Sequence, residues 1–223
     1  MSLTALLTSL HGSQIQFATA RPTLVNDQLF AEEREYVANA VVRRQAEFGT
    51  ARLCAREALS RLGIGPCSLA PNVDRSPRWP EGIRGSIAHT EDWCAVGVTD
   101  RPYIAAFGLD LESDTTFDTK LEDVICTKRE RQWLASFDRS EFGWLGPLMF
   151  SAKEAFYKCQ FGIAQTRMNF TDVELAFNLH TGTFAVAHLG QKIPRQAHLL
   201  RIEGKFQRAE HLHLVATTAL LSQ

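Results

Sequence analysis

Asp110 and Glu112 stand two residues apart in the run FGLDLE. On a strand, side chains at i and i+2 share a face. Two carboxylates on one face repel, so the pair calls for a cation or for open solvent. The apolar run ahead of it, YIAAFGL, argues against an exposed edge. A hard divalent ion, Mg2+ or Mn2+, suits an all-oxygen set, and a solvated strand end is the plain alternative. Downstream, FSAKEAFYK carries Lys153, Glu154 and Lys158. Glu154 and Lys158 are at i, i+4 on a helix and share a face. The plain reading is a surface ion pair worth about 0.2–0.5 kcal/mol. The chemical reading is a third carboxylate for the same ion, with lysines for a phosphate beside it.

Further cations lie upstream. His89 closes the small, apolar run GSIA, which also contains Ser86. An imidazole at a strand end is ordinarily structural, so its role depends on what shares its surroundings. RRQAEF supplies Arg43 and Arg44, and ARLCAR supplies Arg52 and Arg56. Arg44, Arg52 and Arg56 are near helical spacing and can point one way. Such a set is either a solvated helix face or a phosphate patch, for which guanidinium geometry is well suited. No Ser-His-Asp or Cys-His nucleophile set is present.

These residues need a scaffold, and the chain is long enough for one. Its 223 residues can form one large domain or two small ones. A net charge of −1 gives no overall field for nucleic acid. The cysteines, Cys54, Cys67, Cys94, Cys126 and Cys159, are odd in number and include no C-x-x-C pair. That pattern argues against a disulfide framework or a zinc site and for a reducing compartment. The start, MSLTALLTSLHGSQ, has no basic n-region and does not read as a signal peptide. No run reaches membrane-spanning length. The expectation is a cytosolic, monomer-sized soluble protein.

Residues 14–20 alternate as a strand, and residues 30–63 are helical in composition, with Gly63 as a natural stop. A loop dense in Pro and Gly follows. RGSIAHT, WCAVGVT and YIAAFGLDLE then read as an antiparallel meander. Thr127 and Glu130 form a capping box. A helix is expected from about 147 to 160, with Pro147 in its first turn and Gly162 after it. Two hairpins complete the chain, the first turning at Thr181-Gly182. The order predicts an α+β chain of two similar halves, 1–105 and 106–223.

Taken together, RRQAEFGTARLCAREAL, RSPRWPEGIRGSIAH, FGLDLE and FSAKEAFYK resemble the 4′-phosphopantetheinyl transferases of the surfactin and enterobactin type. The resemblance covers roughly residues 30–162; the last sixty residues or so have the strand pattern but no motif. It implies transfer of phosphopantetheine from coenzyme A to a serine of an apo-carrier protein, releasing adenosine 3′,5′-bisphosphate. It implies two α+β halves related by pseudo-twofold symmetry, each a small antiparallel sheet on a long helix, with the site in the cleft between them. Carried over by position, Asp110, Glu112 and Glu154 would be the Mg2+ ligands. Lys158 and Lys153 would face the pyrophosphate, with His89 and Ser86 at the coenzyme A phosphates. Arg44 and Arg52 match positions that hold the 3′-phosphate, and Arg75 or Arg78 would add another cation. Two positions depart: Ala88 stands where many relatives have a hydroxyl residue, and Phe150 where many have Trp.

The chemistry agrees with the residues. Attack of a serine on a pyrophosphate calls for positioning, a metal and cations rather than a covalent nucleophile. The serine proton could go to Glu154 or to a hydroxide on the metal. Two other readings use the same residues: a Mg2+-dependent phosphodiesterase acting on carriers, and a non-catalytic protein binding coenzyme A or a carrier. The carrier could belong to fatty-acid, polyketide, siderophore or other peptide synthesis.

Overall fold

In the computed structural model, which describes residues 1–114, 119–191, 193, 200–209 and 211–221, the chain divides into two units, Met1–Pro102 and Tyr103–Gln223. The first unit runs α1 (Leu3–His11), β1 (Gln16–Ala20), α2 (Ala31–Val37), α3 (Val42–Ser60), β2 (Arg84–His89) and β3 (Cys94–Thr99). Its sheet is antiparallel in the order β1-β3-β2. In α3, Cys54, Ala55, Ala58 and Leu59 recur at helical steps and pack on Ala18, Val96 and Val98 of the sheet. Small residues on the helix let it lie close to the strands.

The helical composition of residues 30–63 gives two helices, not one. Glu33 of α2 is fully buried and ion-pairs with Arg56 of α3 at 2.9 Å. It also accepts the Leu69 N–H at 2.8 Å. The Gln45 side chain donates to the Ala40 carbonyl across the break. These contacts fold α2 back beside α3 and outweigh uninterrupted helix.

The second unit contains β4 (Ile104–Ser113), α4 (Thr119–Ile125), α5 (Lys128–Leu134), α6 (Arg139–Ala164), β5 (Val173–Asn178), β6 (Thr183–Leu189), β7 (Arg201–Ala209) and β8 (Leu212–Leu220). The five strands form an antiparallel sheet in the order β4-β8-β7-β6-β5. Each unit thus sets a small antiparallel sheet against a long helix, an α+β architecture.

Three local expectations need correction. β4 is not the third strand of a meander. The free side of β3 is taken by β1, and β4 pairs instead with β8, Asp110 opposite Val215 and Glu112 opposite His213. Pro147 lies inside α6 rather than in its first turn. Leu145, upstream of it, is fully buried, and that burial outweighs the one helical bond the proline cannot donate. Gly162 also lies inside α6, which ends on Gln165 in the left-handed region at φ 47°. The hairpin turn at Gly182 is as expected, with φ 63°. The Ala197–Leu199 start of the second expected hairpin lies outside the described residues.

Gly108 controls how β4 meets α6. A Cβ there would lie 1.9 Å from the Ala155 carbonyl oxygen and 2.7 Å from the Cys159 amide nitrogen. Strand and helix backbones touch at this point, which no other residue type permits without separating them. Gly108→Ala is expected to cost at least about 1–3 kcal/mol, as overpacking does. Urea unfolding of the two proteins checks it, and equal stabilities would show that the contact yields.

Candidate active site

The second unit brings four of the expected residues to that strand–helix contact. Asp110 and Glu112 share the Gly108 face of β4, as alternation requires. Glu154 and Lys158 stand on α6. The Lys158 ammonium donates to Asp110 Oδ1 at 2.7 Å and to the Leu109 carbonyl at 3.0 Å. The Ser151 hydroxyl donates to Asp110 Oδ2 at 2.8 Å. Burial holds the Glu112 carboxyl above the usual carboxylate range, reinforced by the charges of Asp110 and Glu154. The Ser113 amide and Lys158 oppose that shift. Burial also raises Glu154; Lys158 opposes it and Asp110 adds to it.

Among the described residues, no three His, Cys, Asp or Glu side chains are gathered as a ready metal cluster. The donor chemistry nonetheless suits a hard cation. It comprises three carboxylates that sense one another, two of them lifted by burial and in want of positive charge. Asp110 supplies the best-anchored oxygens, since both already accept hydrogen bonds.

Lys153 goes elsewhere, which corrects the expectation that it faces the pyrophosphate. Its side chain is fully buried on another side of α6. The ammonium donates to Glu130 Oε2 at 2.6 Å and to the carbonyls of Ile125, Phe170 and Val173 at 2.7, 2.9 and 3.0 Å. Burial lowers its pKa, and Glu130 works against that. Glu130 also takes the Thr127 and Leu175 amides, so the capping box of α5 is part of the same buried network. Sequence reasoning found Glu130 as a cap and had no signal for its second role.

The first unit holds a cationic cluster. His89 lies on the face of β2 that also presents Ile87, opposite Cys94 of β3. Its Nε2 is 3.4 Å from Arg44 Nη1 on α3. Glu47, buried beneath them, lies 3.5 Å from Arg44 Nη1 and 3.9 Å from His89 Nδ1, and accepts from Arg43 Nε at 2.9 Å. Burial opposes ionisation of Glu47. The Arg43 hydrogen bond and the His89, Arg43 and Arg44 charges outweigh it and hold its pKa low. No sequence signal marked Glu47.

Arg52 is 4% exposed and lies over the Phe48 ring at 4.0 Å. Its Nε has no hydrogen-bond partner, and among the described residues no carboxylate pairs with its guanidinium. Burial lowers its pKa to about 10, which still leaves a full charge at neutral pH. Glu33, itself ion-paired with Arg56, eases the cost only from a distance, and a buried cation with no directly paired anion is well placed for an anionic ligand.

Arg56 does not join this set, because Glu33 holds it. Ser86 lies on the opposite face of β2 from His89, shared with Ala88, and is buried. Arg75 and Arg78 are both exposed in the loop, with Arg75 in the left-handed region at φ 73°. The five cysteines are unpaired, and burial pushes Cys54, Cys94, Cys126 and Cys159 up to about 12, so none of these four offers a thiolate. Among the described residues, no helix is long and apolar enough to cross a membrane.

Two family models match this sequence. The 4′-phosphopantetheinyl transferase N-terminal domain covers residues 32–99, and the 4′-phosphopantetheinyl transferase superfamily covers residues 106–216. Among curated proteins, the 4′-phosphopantetheinyl transferase Svp of Streptomyces mobaraensis is 36% identical over 158 residues, 70% of this chain and 64% of that protein. The 4′-phosphopantetheinyl transferase Npt of Nocardia iowensis is 30% identical over 151 residues, 68% and 67% of the two chains. Enterobactin synthase component D of Salmonella typhi is 31% identical over 137 residues, 60% and 55%. The matches therefore span two thirds or less of these relatives' own length, to the nearest per cent.

Proposed function

Because this chain belongs to the 4′-phosphopantetheinyl transferase superfamily, we propose that it moves 4′-phosphopantetheine from coenzyme A to a serine of an apo acyl or peptidyl carrier protein, with Mg2+ and with release of adenosine 3′,5′-bisphosphate. The observation that carries this reading is the grouping of Asp110, Glu112, Glu154 and Lys158 at one strand–helix contact. Asp110, Glu112 and Glu154 would hold the metal. When bound, Mg2+ neutralises charge on the pyrophosphate. Lys158, already beside Asp110, presents its ammonium to the same oxygens. The carrier serine Oγ attacks the β-phosphorus, and the bond from that phosphorus to the bridging oxygen breaks. The leaving adenosine 3′,5′-bisphosphate keeps the bridging oxygen and its electron pair. Glu154, one turn from Lys158 on the same face of α6, takes the serine proton.

Arg44, Arg52 and His89 supply the cations for the coenzyme A 3′-phosphate and its neighbours, and the strongest support for that role is the burial of Arg52 with no directly paired carboxylate. Exposed Arg75 or Arg78 is available as a further cation, whereas Ser86, buried on the face of β2 opposite His89, does not share the His89 surface. We take the protein to be cytoplasmic, in keeping with its unpaired cysteines, and to act as a monomer. The deciding experiment is incubation with apo-carriers, coenzyme A and Mg2+, read by intact mass. A gain of one phosphopantetheine supports the reading. Loss of the group from a holo-carrier instead would support the phosphodiesterase, and no change on any carrier would support a binding protein.

The arginines give a sharper test. The 3′-phosphate is remote from the reacting phosphorus, so its contacts act mainly on ground-state binding. A charge-assisted hydrogen bond contributes about 1.5–3 kcal/mol, so Arg44→Ala and Arg52→Ala should each raise KM for coenzyme A roughly 10- to 150-fold. Arg44, nearly half exposed, belongs at the low end. Dephospho-coenzyme A has no such contact to lose, so the mutants should lose the preference for coenzyme A. Equal weakening of both substrates would place the arginines in the fold or at the carrier.

A further inference from the structure

Ser151 is fully buried within α6. A serine in a helix interior ordinarily donates back to a carbonyl one turn earlier. Here the hydroxyl instead crosses to β4 and donates to Asp110 Oδ2 at 2.8 Å. Lys158, two turns further along the same helix, takes Oδ1 at 2.7 Å. The Asp110 carboxylate is thus gripped at both oxygens by one helix. The helix lies directly against the strand, their backbones meeting at Gly108. The two grips differ in kind. Lys158 is a charge on a long stem, more than a quarter exposed, and can leave for a phosphate. Ser151 has a short side chain in a sealed position and stays.

We infer that Ser151 is a positioning residue, holding the plane of the Asp110 carboxylate so that it meets a divalent cation in one orientation. This rests on the reading of Asp110 as a metal ligand. A donor behind a ligating carboxylate both orients it and lowers the cost of bringing in the ion, and removal of such donors typically weakens metal binding about 10- to 100-fold. Ser151 touches neither substrate nor reacting atoms on this account.

The test is Mn2+ binding to the full chain, followed by electron paramagnetic resonance without coenzyme A or carrier. Wild type, Ser151→Ala, Ser151→Thr and Asp110→Asn are compared, each with a thermal melt in EDTA. Ser151→Ala should bind Mn2+ about 10- to 100-fold more weakly, and Ser151→Thr, which keeps the hydroxyl, should recover most of the loss. If Ser151→Ala lowers the melting temperature but its folded fraction binds Mn2+ as wild type does, the serine is only structural and the inference is overturned. Asp110→Asn separates the two layers. If it binds Mn2+ as tightly as wild type, the metal reading itself fails; if it loses the ion while Ser151→Ala does not, the positioning role alone fails.

Discussion

Lys153→Met is expected to destabilise the protein by about 3–5 kcal/mol, the cost of leaving a buried charge without its partner. The substitution removes the ammonium that four acceptors share and leaves buried Glu130 without its counter-ion, held only by the Thr127 and Leu175 amides. Three carbonyls, of Ile125, Phe170 and Val173, lose a donor at the same time, and buried unsatisfied groups add to the loss. The folded fraction should keep a near-normal KM for coenzyme A, because this ammonium does not face solvent. Lys158→Met should do the reverse: lower kcat/KM with a smaller loss of stability, since Lys158 is more than a quarter exposed. Urea unfolding and steady-state kinetics on both variants check this. Lys153→Met/Glu130→Gln should be less damaging than the sum of its parts, the signature of a directly coupled pair. Wild-type stability with lost activity in Lys153→Met would return this lysine to the substrate.

FSAKEAFYK shows why such a residue misleads. Lys153 and Lys158 are the same residue type flanking one glutamate, and the sequence gives each the look of a phosphate ligand. One step along a helix is about 100°, so neighbours face different surroundings. Which direction is core depends on α5 and the turn before β5, which lie elsewhere in the chain. The same limit explains β4. Its alternation predicts a strand with both carboxylates on one face, and that holds, but alternation says nothing about whether β3 or β8 lies beside it. Capping and hairpin turns are local, and the expected Thr127–Glu130 box and the Gly182 turn are present. The break between α2 and α3 is set by a buried Glu33–Arg56 pair far apart in sequence, and helical composition carries no trace of it. At β2 the period of two separates His89 from Ser86, a distinction the motif GSIAH contains once the strand is known.

The two carboxylates of β4, alike in sequence, should answer mutation with opposite signs. Asp110→Asn removes the ion-pair partner of Lys158 and should cost about 3 kcal/mol, the low end for a broken buried pair because Lys158 is partly open to water. Glu112→Gln should stabilise the protein measured in EDTA at neutral pH. Burial and the charges of Asp110 and Glu154 raise its pKa, so ionised Glu112 is a burden on the fold. The sign follows from linkage. A carboxyl whose folded pKa exceeds its unfolded value contributes stability that is complete below the unfolded pKa, near 4.5, and is lost as pH rises through the folded pKa. The melting temperature of Glu112→Gln should therefore exceed that of wild type at pH 7.5, and the gap should close as acid protonates Glu112, which then matches Gln in charge and shape. Both variants should lose transferase activity, about a thousandfold if a ligand is worth some 4 kcal/mol of transition-state stabilisation. Added Mg2+ should raise the melting temperature of wild type and of neither variant. Thermal melts at pH 5 and 7.5, with EDTA and with Mg2+, test every part of this. If Glu112→Gln is destabilised at neutral pH, or is still stabilised by Mg2+ as wild type is, Glu112 is not a cation ligand and the strand end is merely solvated. The stability signs and the Mg2+ response need no carrier protein, so they test the metal site independently of the acceptor on which the enzyme acts.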